Sequence, residues 1–282
     1  MKLIKTSKEM HELASNIRVK GKTIGLVPTM GYLHDGHLSL VEEAKKRSDV
    51  VVVSIFVNPA QFGPGEDLKK YPKDLARDKA LLKSFGVDFL FCPKVNDIYP
   101  EGFNTFVEVK DLPDKLCGRS RPAHFRGVTT IVAKLFNIIS PTCAFFGEKD
   151  YQQQLIIKRM VKDLGLPVEV ISLPTVREFD GLAMSSRNNY LSNKQKTSAA
   201  SLYRALSFAR QEIEGGEKGS GKIISQMRAL IKKNPGIKID YLAIVDPQTL
   251  RDVKTIKGPA LIAIAAYIGK ARLIDNILAS VK

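Results

Sequence analysis

Tryptophan is absent from this chain, cysteine occurs three times and histidine four times in 282 residues. Cys92, Cys117 and Cys143 are an odd number without C-x-x-C spacing, which argues against a disulfide framework and against structural zinc. They are expected to be reduced thiols, with Cys143 packed inside its apolar run. No stretch approaches the roughly 18 consecutive apolar residues of a membrane helix, and Met1-Lys2-Leu3-Ile4-Lys5 lacks the apolar region of a secretory signal, so a cytoplasmic location is expected. Internal repeats and low-complexity segments are also missing. Negative charge is in deficit: 29 Asp and Glu against 44 Lys and Arg leave a formal charge of +15. Clustered, that excess would suit nucleic acid. It is instead interleaved with acids, as in Lys69-Lys70-Tyr71-Pro72-Lys73-Asp74, and forms no basic tail. The expectation is therefore solvated charge that steers small anionic substrates, with no nucleic-acid partner.

What is present is a core-forming composition, 44% hydrophobic, arranged as alternating strand-like and helix-like segments over residues 1–175. Thr23–Val27, Val50–Phe56, Val87–Phe91, Cys143–Phe146 and Val168–Leu173 read as strands. Between them, helices are expected from Leu38 through Arg47, over Leu75–Ser84 with Gly86 as the stop, over Gly127–Ile139 and over Tyr151–Leu164. Repeated βα units of this kind predict an α/β fold, a Rossmann-like parallel sheet covered by helices on both faces. Past Pro174 the pattern changes. Asp180-Gly181 predicts a tight turn, Asn193–Glu214 and Lys222–Lys233 helices, Gly215–Gly221 a flexible connection, and Ile239–Val245 and Leu261–Tyr267 strands. Residues 176–282 thus form a smaller C-terminal α+β domain with antiparallel pairing.

In an open parallel sheet, ligands bind beyond the carboxyl ends of the strands, and the polar residues of interest fall there. Pro28-Thr29-Met30-Gly31-Tyr32-Leu33-His34-Asp35-Gly36-His37 joins a strand to a helix. Its glycines let backbone N–H groups approach an anion, and the helix N-terminus adds partial positive charge. His34 and His37, three apart on the entering turn, read as donors to phosphate, with helix capping or zinc ligation as alternatives. Further polar segments lie beside apolar strands: Phe56-Val57-Asn58-Pro59-Ala60-Gln61-Phe62, Arg121-Pro122-Ala123-His124-Phe125-Arg126-Gly127, Phe146-Gly147-Glu148-Lys149-Asp150-Tyr151-Gln152-Gln153, and Met184-Ser185-Ser186-Arg187-Asn188. Judged singly, Lys149 could be a surface charge, Gln152-Gln153-Gln154 a solvated helix start, and Arg187 a turn cap.

Taken in order, these five segments closely resemble the successive motifs of the pantoate–β-alanine ligase family, within the nucleotidyltransferase superfamily. The resemblance implies ATP-dependent condensation of pantoate with β-alanine through a pantoyl-adenylate, with release of pyrophosphate and AMP. It implies catalytic roles for His34, His37, Lys149 and Arg187 at the phosphates. Met30, Gly147, Asp150, Val176, Met184, Ser185 and Ser186 would contact the rest of ATP, and Gln61 and Gln153, with Arg121 and His124 nearby, would bind pantoate. Magnesium should accompany ATP, held largely by phosphate oxygens and water. Many relatives carry adjacent acids where this chain has Arg77-Asp78, which leaves Asp78 as the one candidate metal residue. Ala123 also stands where glycine is usual. A homodimer is implied, as is closure of the C-terminal domain over the active site. A nucleotidylyltransferase of the same superfamily is the alternative, and the pair Gln61 and Gln153 argues against it, because neutral amides suit a small hydroxy acid better than a phosphorylated substrate.

Overall fold

The computed structural model describes residues 1–281, which divide into two compact units. The first comprises Met1–Pro113, Gly118–Gly147 and Gln153–Pro174; the second comprises Asp114–Cys117, Glu148–Gln152 and the chain from Thr175 onward.

In chain order the first 174 residues form β1 (Lys2–Ile4), α1 (Ser7–Val19), β2 (Ile24–Thr29), α2 (Asp35–Arg47), β3 (Val50–Ile55), α3 (Leu75–Ser84), β4 (Phe89–Phe91), α4 (Val95–Ile98), α5 (Cys117–Ser120), α6 (His124–Ile139), β5 (Cys143–Gly147), α7 (Tyr151–Asp163) and β6 (Glu169–Leu173). Six strands make one sheet in the order β1-β4-β3-β2-β5-β6, every pair parallel. Successive residues Ile24–Val27 and Val50–Val53 are all buried, as strands covered on both faces require. Strand order reverses between β2 and β5, which puts the crevice of a doubly wound sheet at their carboxyl ends.

The sequence spacing places most of these elements within a few residues. Two differences have local causes. β2 runs on through Pro28 to Thr29, because the Thr29 hydroxyl donates to the Ser54 carbonyl at 2.8 Å and the Phe56 N–H to the Thr29 carbonyl at 3.1 Å. β4 starts at Phe89, after Asp88, whose side chain accepts the Val51 N–H at 2.9 Å. β1 and α1 lie outside the repeating pattern; Thr6 caps α1 by accepting the Glu9 N–H. All three cysteines are free thiols, and burial pushes the Cys143 thiol up to about 11.

In the second unit, α8 (Asn193–Glu214), α9 (Ser220–Lys232), β7 (Ile237–Val245), β8 (Pro259–Ile268) and β9 (Ala271–Ser280) form a helix pair and an antiparallel sheet of order β7-β8-β9. A reciprocal Ser192–Gln195 capping box starts α8. The α8–α9 connection is tighter than its glycines suggest: Glu217 accepts the Gly219 N–H at 2.8 Å and pairs with Lys222 at 2.5 Å. No described helix is long and apolar enough to cross a membrane.

Candidate active site

The first unit carries the Pro28–His37 run from the end of β2 into α2. Gly31 takes φ +85°, and a Cβ there would stand 3.0 Å from Ile55 Cγ2 and 3.2 Å from Asp78 Oδ2. The tightness comes from Asp78. One per cent exposed in the first turn of α3, its carboxylate accepts the N–H of Tyr32 at 2.7 Å on Oδ2 and that of Leu33 at 2.8 Å on Oδ1. Each oxygen is thus engaged by the loop, with Arg77 3.8 Å from Oδ1. The His34 N–H donates to His37 Nδ1 at 3.3 Å. That nitrogen is an acceptor, so the neutral His37 ring carries its proton on Nε2, which is left as a donor. The two imidazoles sit 4.1 Å apart at the N-terminus of α2.

A second polar cluster in the first unit surrounds Gln61. Asn58 is fully buried and fully satisfied: its Oδ1 accepts from the Tyr99 hydroxyl at 2.8 Å and the Ala60 N–H at 3.2 Å, and its Nδ2 donates to Gln61 Oε1 at 2.9 Å and the Gly127 carbonyl at 3.0 Å. Burial pushes the Tyr99 phenol up to about 12, with Asn58 opposing, so it stays a donor. Because Oε1 of Gln61 is taken by a donor, the orientation of its amide is set and the NH2 end is the one presented. Arg121 grips Glu66 at 2.8 and 2.6 Å and reaches the Gln61 carbonyl at 3.2 Å. Burial favours the neutral Glu66 carboxyl, but the Arg121 hydrogen bonds and charge outweigh it and hold the group below its ordinary value. His124 Nδ1 lies 2.8 Å from the Gln61 carbonyl and Nε2 lies 3.1 Å from Arg121 Nη1. Only the Nδ1–H tautomer satisfies both, since a carbonyl cannot donate and a guanidinium cannot accept. Ala123, at φ +65°, leads into α6. The backbone of α6 then comes so close to the 59–61 turn that a Cβ on Gly127 would lie 2.1 Å from the Ala60 carbonyl oxygen.

On the first turn of α7, Gln154 is buried and accepts from the Ser172 hydroxyl. Gln153, half-buried, belongs to the first unit. Gln152 belongs to the second, where it is buried, accepting the Cys117 N–H at 3.0 Å and donating to the Lys115 carbonyl at 2.7 Å. A solvated helix start does not describe these residues.

The second unit holds the other candidate cations. Lys149 pairs with Asp150 at 3.1 Å in the 3-10 turn Glu148–Asp150. The Met184 N–H donates to the Val176 carbonyl at 3.0 Å, closing a hairpin through the Asp180-Gly181 turn, where Gly181 takes φ +90°. Arg177 in that hairpin binds both oxygens of the buried Asp275, at 2.6 and 2.9 Å, and stacks on Tyr203. Burial raises the Asp275 carboxyl above its ordinary value, with Arg177 pulling the other way. After Met184, Ser185 caps the turn Ser186–Tyr190 by accepting the Arg187 N–H at 3.2 Å, and Asn188 Nδ2 ties the turn to the Ala183 carbonyl at 3.1 Å.

Within the first unit, therefore, His34 meets His37, and Gln61 meets Arg121 and His124; within the second, Lys149 meets Asp150, Val176 meets Met184, and Ser185 meets Arg187. Asp78 serves the Tyr32-Leu33 loop. Among the described residues, no group of three or more His, Cys, Asp or Glu is arranged to hold a metal ion. Sequence reasoning passed over Glu66, Tyr99, Arg177, Asp275 and Asn276. A signal existed for the last two: an Asp-Asn step interrupts the apolar strand Leu273–Leu278.

Comparison with known proteins extends the local motifs to the whole chain. The family model described as Pantoate-beta-alanine ligase matches residues 2–278. The pantothenate synthetase of Moorella thermoacetica is 52% identical over all of this chain and 99% of its own, and that of Thermosipho melanesiensis 53% identical over 99% of each. Among solved structures, the pantothenate synthetase of Thermus thermophilus superimposes with a TM-score of 0.93 at 48% identity, covering 98% of this chain and 99% of that one. The pantoate-beta-alanine ligase of Francisella tularensis, complexed with beta-gamma ATP and beta-alanine, gives 0.81 at 38% identity, covering 99% and 97%. Identity at this level along the full length, with the five motifs in order, makes this chain a member of the pantoate–β-alanine ligase family.

Proposed function

We propose that this chain joins pantoate to β-alanine at the expense of ATP, forming pantothenate by way of a pantoyl-adenylate. The observation that carries the reading is Gln61, whose amide is turned by Asn58 so that a neutral donor is presented. A donor without charge can hold the carboxylate and hydroxyls of pantoate, and it adds no charge beside ATP. Gln153 supplies a second amide, and Arg121 and His124 act through the Gln61 backbone they grip. In the first step the pantoate carboxylate attacks the α-phosphorus and pyrophosphate leaves. The protein aligns two anions and neutralises charge growing on the phosphates. His34 and His37 donate from the N-terminus of α2, where the helix dipole favours an anion. Lys149 and Arg187 add positive charge, and Ser185 and Ser186 offer hydroxyls and N–H groups. Met30, Val176 and Met184 border the nucleotide; Asp150 and the Gly147 backbone hold ribose. In the second step the β-alanine amine attacks the activated carbonyl, loses a proton and displaces AMP.

Magnesium fits this reading as an ion on phosphate oxygens and water, supplying charge neutralisation. Asp78, both of whose oxygens accept backbone N–H groups, serves as the tether of the histidine loop. We place the enzyme in the cytoplasm as a homodimer.

Isotope exchange between pyrophosphate and ATP tests the proposal. Exchange that requires pantoate is the expected result. Exchange without pantoate, or none with it in an enzyme that forms pantothenate, would overturn the adenylate route.

A further inference from the structure

The Asp275-Asn276 step of β9 gives each of its polar side chains a different partner in the second unit. Asn276 Nδ2 donates one hydrogen to the Glu148 carbonyl at 3.0 Å and the other to the Lys149 carbonyl at 2.8 Å. Asp275 takes the Arg177 fork, and Arg177 also reaches the Gly181 carbonyl at 3.1 Å, bracing the hairpin whose far end runs into Ser185-Ser186-Arg187. The two residues lock one another, since the Asn276 N–H is 2.8 Å from Asp275 Oδ1. Opposite them on the central strand β8 stand Ile264 and Ala263, both buried, so the step has a rigid backing. Nothing in an apolar strand calls for this pair. A solvated Asn would not spend both amide hydrogens on successive carbonyls, and a carboxylate 4% exposed costs stability unless it is paired. The segment Glu148–Gln152 groups with the second unit although β5 before it and most of α7 after it belong to the first.

We propose that Asn276 and Asp275 are positioning residues for adenylate formation. Asn276 fixes the turn that presents Lys149, Asp275 through Arg177 fixes the hairpin that presents Arg187, and one strand thereby sets the spacing of both cations. This rests on the phosphate role given to Lys149 above.

The test compares N276A, N276D, K149A and the double variant K149A/N276A in pantoate-dependent pyrophosphate exchange. Asp keeps the shape of Asn but cannot donate, so N276D isolates the two hydrogen bonds. Both Asn276 variants should lose about tenfold or more in kcat, while KM for pantoate stays within about twofold because Gln61 and Gln153 lie outside the turn. In the double variant, loss of Asn276 should add less than about twofold to the loss from K149A, the coupling expected of a residue that acts through another. A merely structural role predicts losses that multiply and a pantoate KM that rises with them, and that result overturns the proposal. So does an N276D enzyme at wild-type rate. A K149A enzyme at wild-type rate would sink the phosphate-site reading itself and this inference with it; a slow K149A beside normal Asn276 variants would sink this inference alone. Should N276A fail to fold, N276S, which keeps one donor, is expected to fall between Asn and Asp, and equality with wild type would again refute.

Discussion

Replacing Asp78 with Asn separates a loop tether from a metal ligand. The wild-type carboxylate accepts two backbone N–H groups, those of Tyr32 and Leu33, at 2.7 and 2.8 Å, in a site that leaves Asp78 1% exposed. Asparagine keeps one acceptor oxygen and turns an NH2 toward the other N–H. One charge-assisted bond becomes a neutral one, and one buried donor loses its partner at a cost of about 1–3 kcal/mol. The total is about 2–4 kcal/mol, or roughly 4–16 °C in unfolding temperature for a domain of this size. The same change releases the Gly31–Leu33 turn that leads into His34 and His37. A shift of order 1 Å in those donors is worth roughly a hundredfold in rate. Calorimetry and pyrophosphate exchange on D78N should therefore show lower stability and slower adenylate formation together, neither restored by excess magnesium. A variant of normal stability whose rate returns as magnesium is raised would refute the tether and make Asp78 a metal ligand.

Three other outcomes follow from the geometry. Gly127→Ala drives a methyl to 2.1 Å from the Ala60 carbonyl; overpacking of this kind costs about 1–3 kcal/mol, and KM for pantoate should rise as Gln61 is displaced, whereas an unchanged KM would detach Gln61 from pantoate. Gln61→Glu replaces the presented NH2 with an anion at a residue only 8% exposed, so KM for pantoate should rise by an order of magnitude or more and thermal stability should fall with it, checked by steady-state kinetics and calorimetry. Glu66 titrates below its ordinary value in the fold. Its pairing with Arg121 therefore contributes fully above the unfolded carboxyl pKa, about 4.3, and is lost as pH falls through the lower folded value. Urea midpoints for Glu66→Gln against wild type should differ at pH 7 and converge in acid; a gap that persists in acid would show that shape, not charge, does the work.

The sheet was legible because its strands are apolar runs separated by helical periodicity, and α3 and α8 fall on the residues that spacing predicts, Leu75–Ser84 and Asn193–Glu214. β9 was not, since Asp275-Asn276 and Arg272 break its apolar pattern for reasons that lie far away in sequence. The candidate site divides the same way. His34, His37, Gln61, Lys149 and Arg187 announce themselves as polar groups at strand ends. Glu66, Tyr99 and Asn276 reveal their roles only through partners 55, 41 and 127 or more residues distant. Asp78 is an intermediate case. Four residues before the buried Leu82, it occupies the core-facing stripe of α3, where an acid demands a partner, but which partner could not be read from the spacing.

The strand order also has a consequence for how the chain is made. β2 pairs on one side with β3, which follows almost at once, but its other neighbour β5 is 118 residues further on, Gly25 meeting Cys143. During synthesis the ribosome releases β2, β3 and β4 long before β5, so the apolar flank of β2 stands as an open edge that can pair with another nascent chain. Fragments ending before Cys143 should aggregate, and those extending past Leu173 should remain dispersed. The strand that completes the crevice at the reversal of strand order is thus also the one that ends this exposure.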